Sequence, residues 1–216
     1  MITPPDARQY APATQRNQEP ILEVLQRVLP KRGTVLEVSS GTGEHAIFFA
    51  PRLLPYRWLP SDPNPLARDS ITAWRSHFPS ENLLPPIALD ARDPWWLVEQ
   101  PEAQVKLDLT QYPIGAIVNI NMIHIAPWSA CIGLMAGAGR ILPPQGILYL
   151  YGPFKQKGQH IAMSNAEFDR NLQIQNPEWG VRDLEEVITV AGTESLTLLE
   201  IVPMPANNLS VVFQKA

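Results

Sequence analysis

At 216 residues the chain is long enough for one sizeable core, and its 45% apolar and 18% charged content belongs to a folded protein rather than a disordered one. A formal net charge of −4, with Lys and Arg scattered, leaves no basic footprint for a nucleic-acid backbone or an anionic bilayer. The lone Cys131 excludes an internal disulfide, no Cys/His spacing fits a structural zinc, and no apolar run approaches the roughly 18 residues of a membrane span. With no basic-then-apolar pattern between Met1 and Gln18, the expected setting is the cytoplasm, with no metal, nucleic-acid or membrane partner.

Ile21, Leu22, Leu25, Val28 and Leu29 recur at helical spacing behind Asn17 and Pro20, which suit a helix start, and Pro30 stops the run. Short apolar runs then read as buried strands: Thr34 to Val38, Arg57 to Pro60, Ile87 to Leu89, Ala116 to Ile120 and Ile147 to Tyr151. Between them the spacing predicts helices over Glu44 to Ala50, Pro65 to Phe78 and Trp128 to Ala138, as parallel strands require. Ser164 with Glu167 three residues on predicts a capping box for a helix through Gln175, and Asp183 to Ala191 predicts another, ended by Gly192. Ser195 to Val202 and Leu209 to Gln214, separated only by Pro203 to Asn208, predict a hairpin, so one strand runs antiparallel. The 23 prolines mark boundaries of these elements. The expected fold is α/β: a doubly wound, mostly parallel Rossmann-like sheet with a C-terminal antiparallel hairpin, in a single domain over 1–216.

In such a sheet ligands bind beyond the carboxyl ends of the strands at the switch point, so the loops after the first strands are the candidates. The first carries Glu37-Val38-Ser39-Ser40-Gly41-Thr42-Gly43-Glu44-His45-Ala46, where Gly41 and Gly43 allow close backbone approach and the small Ser39 and Ser40 keep it open. The same glycines, with Ala46, also satisfy a dinucleotide fingerprint. Glu37 inside a strand needs a donor or cation, and the α-amino group of a methionine moiety would serve, although neighbouring backbone amides would too. Asp62 ends the second run where a carboxylate can take both ribose hydroxyls. Asp90 closes the third, placed to accept from an adenine amino group with the backbone of Ala91 on the ring. Either aspartate equally suits a turn or a cap.

After the fourth run, Asn121 offers donors and an acceptor beside the expected reaction centre, and His124 is the candidate general base, a satisfied structural histidine being the plainer alternative. His45 is expected to line the pocket. Trp128, Tyr151 and Phe154 are candidates for its walls or for the core.

At these residues the chain resembles the class I S-adenosylmethionine (SAM)-dependent methyltransferases, and within them the family catalogued as domain of unknown function 938, the methyltransferase-like 26 group. The resemblance rests on Arg16-Asn17, Glu19 to Leu22, Leu36 to His45, Trp58 to Asp62, Asn119 to Ile125, Tyr151 to Phe154 and Asn176 to Asp183, in that order. It implies a seven-stranded sheet ending in a hairpin, SAM as cofactor and a methyl acceptor of undefined identity. The general SAM pattern has glycine where Ser39 stands, and the Asn/Asp-Pro-Pro-aromatic motif of nucleobase amine methylation is absent. On the same footing residues 1–30 form an arm and helix over the cofactor site, with Arg16, Asn17 and Tyr10 as a cap and the Arg16 guanidinium suited to a carboxylate. The expected function is SAM-dependent methylation of a small neutral or anionic acceptor. A non-catalytic SAM- or S-adenosylhomocysteine (SAH)-binding module acting through a protein partner, and an NAD-dependent oxidoreductase, remain alternatives.

Overall fold

A computed structural model describes residues 6–216, so the first residues of the expected N-terminal arm lie outside the described residues. Helix α1 spans Pro12–Val28 and begins well before the start expected at Pro20, which instead sits inside it. An interior proline forfeits one backbone hydrogen bond and costs about 3 kcal/mol. Burial on both sides of it offsets that, with Thr14 and Asn17 upstream and Ile21, Leu22 and Leu25 downstream all packed inward, each apolar side chain contributing roughly 1.5–3 kcal/mol.

The next elements in chain order are β1 (Thr34–Val38), α2 (Glu44–Phe49), β2 (Arg57–Ser61), α3 (Pro65–His77), α4 (Pro101–Lys106), β3 (Ile114–Ile120), α5 (Trp128–Ile141) and β4 (Ile147–Gly152). They are followed by β5 (Phe154–Gln156), β6 (Gln159–His160), α6 (Met163–Gln175), β7 (Arg182–Asp183), α7 (Leu184–Thr193), β8 (Leu196–Met204) and β9 (Asn208–Lys215). The main sheet has the order β2-β1-β3-β4-β9-β8. Its first four strands are parallel, whereas β9 runs antiparallel to both β4 and β8. The fold is therefore the doubly wound α/β architecture expected, closed by its hairpin. β1 and β3 are wholly buried because both faces are covered. Ile21, Leu25, Phe49 and Trp58 pack on one face, and Leu134, Met135, Val187 and Phe213 on the other.

The strand expected over Ile87–Leu89 is not one. Residues 83–87 lie along β2 but make only isolated bridges, Trp58 with Leu83 and Ser61 with Ile87. Pro85 and Pro86 lack the N–H groups a ladder needs, so six strands are regular and the seventh position is filled by irregular chain. The expected capping box also fails: Ser164 lies within α6, whose first turn has no side-chain cap, and its Oγ meets the amide of Asn207 at 3.3 Å. Gly192 lies inside α7 rather than ending it. The left-handed residue beyond that helix is Ser195. The three-stranded sheet of β5, β6 and β7 had no legible signal, since its strands are too short to carry a period.

Candidate functional site

β1 is flanked by β2 on one side and β3 on the other, so the loops after β1 and β3 diverge across its end and open the switch-point crevice. The strand ends are level, with Val38 opposite Ser61 on one side and Asn119 on the other. Asn119 Nδ2 donates to the Val38 carbonyl at 2.9 Å and ties the two sides together.

The turn Ser39–Gly43 begins at Ser39 with φ 60°, a left-handed conformation that costs a non-glycine residue about 1–2 kcal/mol and explains why glycine is commoner there in the resembling pattern. Gly41, at φ 56°, has nothing within 4 Å of the position a Cβ would take, so the turn presents bare backbone to open space. Gly43 answers a different need: a Cβ there would lie 2.8 Å from Ile71 Cγ1, so it lets α3 approach the turn rather than a ligand. Ser40 is also turned inward. Its N–H donates to the Ser61 carbonyl, and its Oγ donates to the Glu37 carbonyl and accepts from the Ser61 N–H. Ser40 shapes the turn from within.

Asp62 points at this turn. Gly41 N–H donates to its Oδ2 and Asn64 N–H to its Oδ1, both at 2.9 Å. Burial raises its pKa, and those two backbone donors and the Arg68 charge oppose the rise. Glu37 is fully buried and accepts from Trp58 Nε1 at 2.9 Å, so an indole takes the place of the backbone amides weighed for it. Burial pushes its carboxyl up to about 7 against the hydrogen bonds from Trp58 and Ser40, with the nearby Asp62 charge adding to the rise. Asp90 is engaged by its neighbour: Arg92 donates to both its oxygens, the shortest contact being 2.6 Å, and holds its pKa down. The carbonyl of Ala91 packs against Gly133 of α5, where no Cβ would fit.

The loop after β3 turns at Asn121, φ 62°, whose N–H donates to the Tyr151 carbonyl at 2.8 Å. It is pinned from β7: Arg182 donates to the carbonyls of Ile123, Ala126 and Glu178, and the His124 carbonyl accepts from Gly180 N–H at 3.0 Å. His124 is 3% exposed, its Nδ1 is buried without a hydrogen-bond partner, and burial, helped by the Arg182 charge, lowers its pKa to about 4. The ring is therefore neutral near pH 7. A Cβ on Gly152 would sit 3.1 Å from its Nδ1, so glycine lets the end of β4 close over that edge of the ring.

Asn121 and His124 form one wall of a cavity of about 620 Å³, with Arg16 and Asn17 of α1 and Tyr151 around them. Burial raises the Tyr151 hydroxyl, and the nearby Asn17 amide and Arg16 charge oppose the rise. His45 stands behind this wall: its Nε2 pairs with Asn17 Oδ1 at 2.9 Å, its ring stacks on Phe49, and burial lowers its pKa to about 4. Tyr10, expected in the cap, lies edge-on to Trp74 of α3, 5.0 Å between centroids. Phe154 is core and Trp128 lines a separate groove, so Tyr151 alone of the three aromatics walls this cavity. The remaining wall comes from α6 and the β8–β9 turn, including Asn165, Phe168, Asn207 and Asn208. Sequence reasoning passed over these; the one clue was the asparagine-rich turn, which read as a connection only.

A family model described as "Protein of unknown function (DUF938)" matches residues 8–215. Among solved structures, an O-methyltransferase family 2 protein from Planctomyces limnophilus, crystallised with apigenin, superposes with a TM-score of 0.71 at 18% identity, covering 90% of this chain and 56% of that one. The S-adenosylmethionine-dependent methyltransferase SibL gives 0.72 at 13%, covering 94% and 55%. CalO1, a methyltransferase in calicheamicin biosynthesis in its SAH-bound form, gives 0.67 at 16%, covering 92% and 54%. The chain spans about half the length of these structures, and at such identities the likeness is one of fold.

Proposed function

The chain belongs to the DUF938 family, and from that premise and the geometry of its switch point we propose that it is a SAM-dependent methyltransferase acting on a small-molecule acceptor. The observation that carries this is the left-handed Ser39–Gly41 turn, bare toward open space and held by Asp62 at the ends of two adjacent parallel strands. The donor set fits the group. Asp62 would take the ribose hydroxyls, Glu37 the amino group and Arg16 the carboxylate of the methionine part. Ser39, Gly41 and Asn121 would supply backbone and amide contacts, and Asp90 with Ala91 the adenine edge once Arg92 yields.

The cofactor would supply an electrophilic methyl group, taken in line by a lone pair of the acceptor as the sulfur departs as a neutral thioether. The protein's own share is alignment and exclusion of water, which together lower a barrier by up to about 7–11 kcal/mol in well-oriented cases. His124, neutral near pH 7, would take the acceptor's proton on the ring edge that lines the cavity, and Arg182 and Gly180 hold its loop in place. A neutral imidazole on the cavity wall favours transfer over a purely binding role. A single domain with residues 1–30 over the cofactor, and a cytoplasmic setting suited to a lone buried cysteine, belong to the same proposal. Among the described residues no helix is long and apolar enough to cross a membrane.

Against a dinucleotide stands Glu44, the first residue of α2, whose carboxylate accepts from Thr42 Oγ1 and from Ala11 N–H. A negative charge there repels the pyrophosphate that such a helix start would bind. Thermal unfolding with SAH and with NAD separates the two readings. A ligand at 100 times its dissociation constant adds about 2.7 kcal/mol to the folded state. SAH is expected to raise the midpoint, NAD to leave it unchanged, and Asp62→Ala to abolish the SAH shift. Protection by NAD alone overturns the proposal.

A further inference from the structure

On the methyl-donor reading above, the Ser39–Gly43 turn must keep its shape while its outer face stays bare, and left-handed glycines on both sides of Thr42 make that shape soft. Two ties from outside the turn converge on Thr42. Its carbonyl accepts from Ser70 Oγ of α3 at 2.7 Å, and its Oγ1 donates to the Glu44 carboxylate at 3.1 Å. Both ties continue to one short segment ahead of α1: Ser70 Oγ accepts from Gln9 N–H at 2.8 Å, and Glu44 accepts from Ala11 N–H.

Ser70 departs from the habit of its own helix. Helical Ser and Thr hydroxyls ordinarily bond the carbonyl one turn back, as Thr72 does with Arg68 and Ser76 with Thr72. Ser70 is wholly buried and instead bridges Gln9 to Thr42, while the carbonyl one turn back, that of Leu66, accepts from Gln9 Nε2 at 3.4 Å. One turn further along α3, Trp74 Nε1 donates to the Gln9 carbonyl at 3.0 Å, and the Arg8 guanidinium lies 4.9 Å from the centroid of the same ring. Gln9 is thus held through both its backbone groups although it and Tyr10 are exposed, and a segment with so little burial opens more readily than the core. The chain then runs into α1, which brings Arg16 and Asn17 to the cavity beside His124. The segment is therefore joined to both sides of the switch point.

We infer that residues 8–11 are a latch on the donor site and that Ser70 is the positioning residue that couples this latch to the Gly41 turn. Ser70 acts through the Thr42 carbonyl rather than on the donor itself. A donor lying against Gly41 and drawing on Arg16 would hold the latch from both ends, so filling the crevice and closing the segment favour each other.

Hydrogen exchange of the Gln9 and Ala11 amides in the full chain, with and without saturating SAH, tests this together with SAH affinity by calorimetry for the wild type, Ser70→Ala and Thr72→Ala. Alanine suits both helical positions, and Thr72→Ala removes a hydroxyl from the same helix without touching the latch. In the wild type SAH is expected to slow both amides at least about tenfold. Ser70→Ala is expected to weaken SAH about tenfold, as loss of one buried hydrogen bond does. It should also reduce the slowing at Ala11, whose own partner Glu44 is unaltered, to less than about twofold. Thr72→Ala should match the wild type in both measurements. SAH binding that leaves Gln9 and Ala11 exchange unchanged in the wild type overturns the inference, and that result needs no variant to fold. So does wild-type SAH affinity in Ser70→Ala, or an equal loss in Thr72→Ala. Failure of SAH to bind the wild type strikes the methyl-donor reading first, so the titration that precedes the exchange tells the two failures apart.

Discussion

The two sides of the switch point are built differently. Around the Ser39–Gly43 turn the polar atoms already answer one another: Ser40 is held by Ser61 and Glu37, Asp62 by Gly41 and Asn64, and Glu37 by Trp58. Across the crevice, His124 has a ring nitrogen without a partner, and Asn165 and Asn208 donate their Nδ2 only to backbone carbonyls. The first side is a preformed cradle whose shape survives without a ligand. The second is left less satisfied by the protein itself, with a buried ring nitrogen that no protein group answers.

The largest break in this comparison is at His124. His124→Gln retains a polar side chain of similar reach but no base, and turnover is expected to fall by about 10²–10⁴-fold. SAH affinity, which depends on the other side, should stay within a factor of about two. Single-turnover rates and SAH titration together check this, and equal loss of both would show that the two sides are not separable.

Glu37 sharpens the contrast through pH. Its folded pKa of about 7 lies above the ordinary 4.5, so the fold holds this proton more tightly than the unfolded chain does. The stability that proton confers is complete below pH 4.5 and is lost as pH rises through 7, of order 3 kcal/mol in all. His124 and His45 act oppositely: lowered from 6.5 to about 4, they confer stability that is complete above pH 6.5 and is lost as pH falls through 4. Between pH 4.5 and 6.5 the two histidines therefore raise the urea midpoint while Glu37 lowers it, and Glu37→Gln should remove that opposing fall, so that the midpoint climbs more steeply to pH 6.5 and no longer declines toward 7. If Glu37 meets the methionine amino group, SAH binding near pH 7 releases a proton, visible as a buffer-dependent enthalpy that Glu37→Gln removes.

How much of this was legible follows the same divide. The cradle lies within one continuous run from Glu37 to His45 plus Asp62, so its glycines, acids and flanking strands stand at readable spacing. The acceptor side is assembled from α1, the Asn121–His124 loop, α6 and the hairpin turn, brought together only by folding. Asn165 sits in a polar helix with no periodic signal, and Asn207 and Asn208 look like any turn. Local chemistry also misled where a distant partner intervened: Asn207 draws Ser164 away from capping, Arg92 takes Asp90, and Pro85 with Pro86 denies the third strand its ladder.

Two neighbouring glycines give smaller effects that divide the cradle itself. Gly43→Ala drives a Cβ into Ile71, against both its side chain and its backbone, at a φ of 89°. It is expected to cost about 2–4 kcal/mol in stability, overpacking and backbone strain combined, with any loss of SAH affinity following from a displaced α3.

Gly41→Ala meets nothing within 4 Å and bears only the strain of φ 56°, so its stability cost is about 1–2 kcal/mol. Its effect on SAH is expected to exceed that, because the added methyl stands in the open space where the cofactor would lie against the backbone. Denaturant midpoints and SAH titration on the two variants separate a glycine kept for packing from one kept for a ligand. An unchanged SAH affinity in Gly41→Ala would mean that the bare face of the turn is not the surface the cofactor uses.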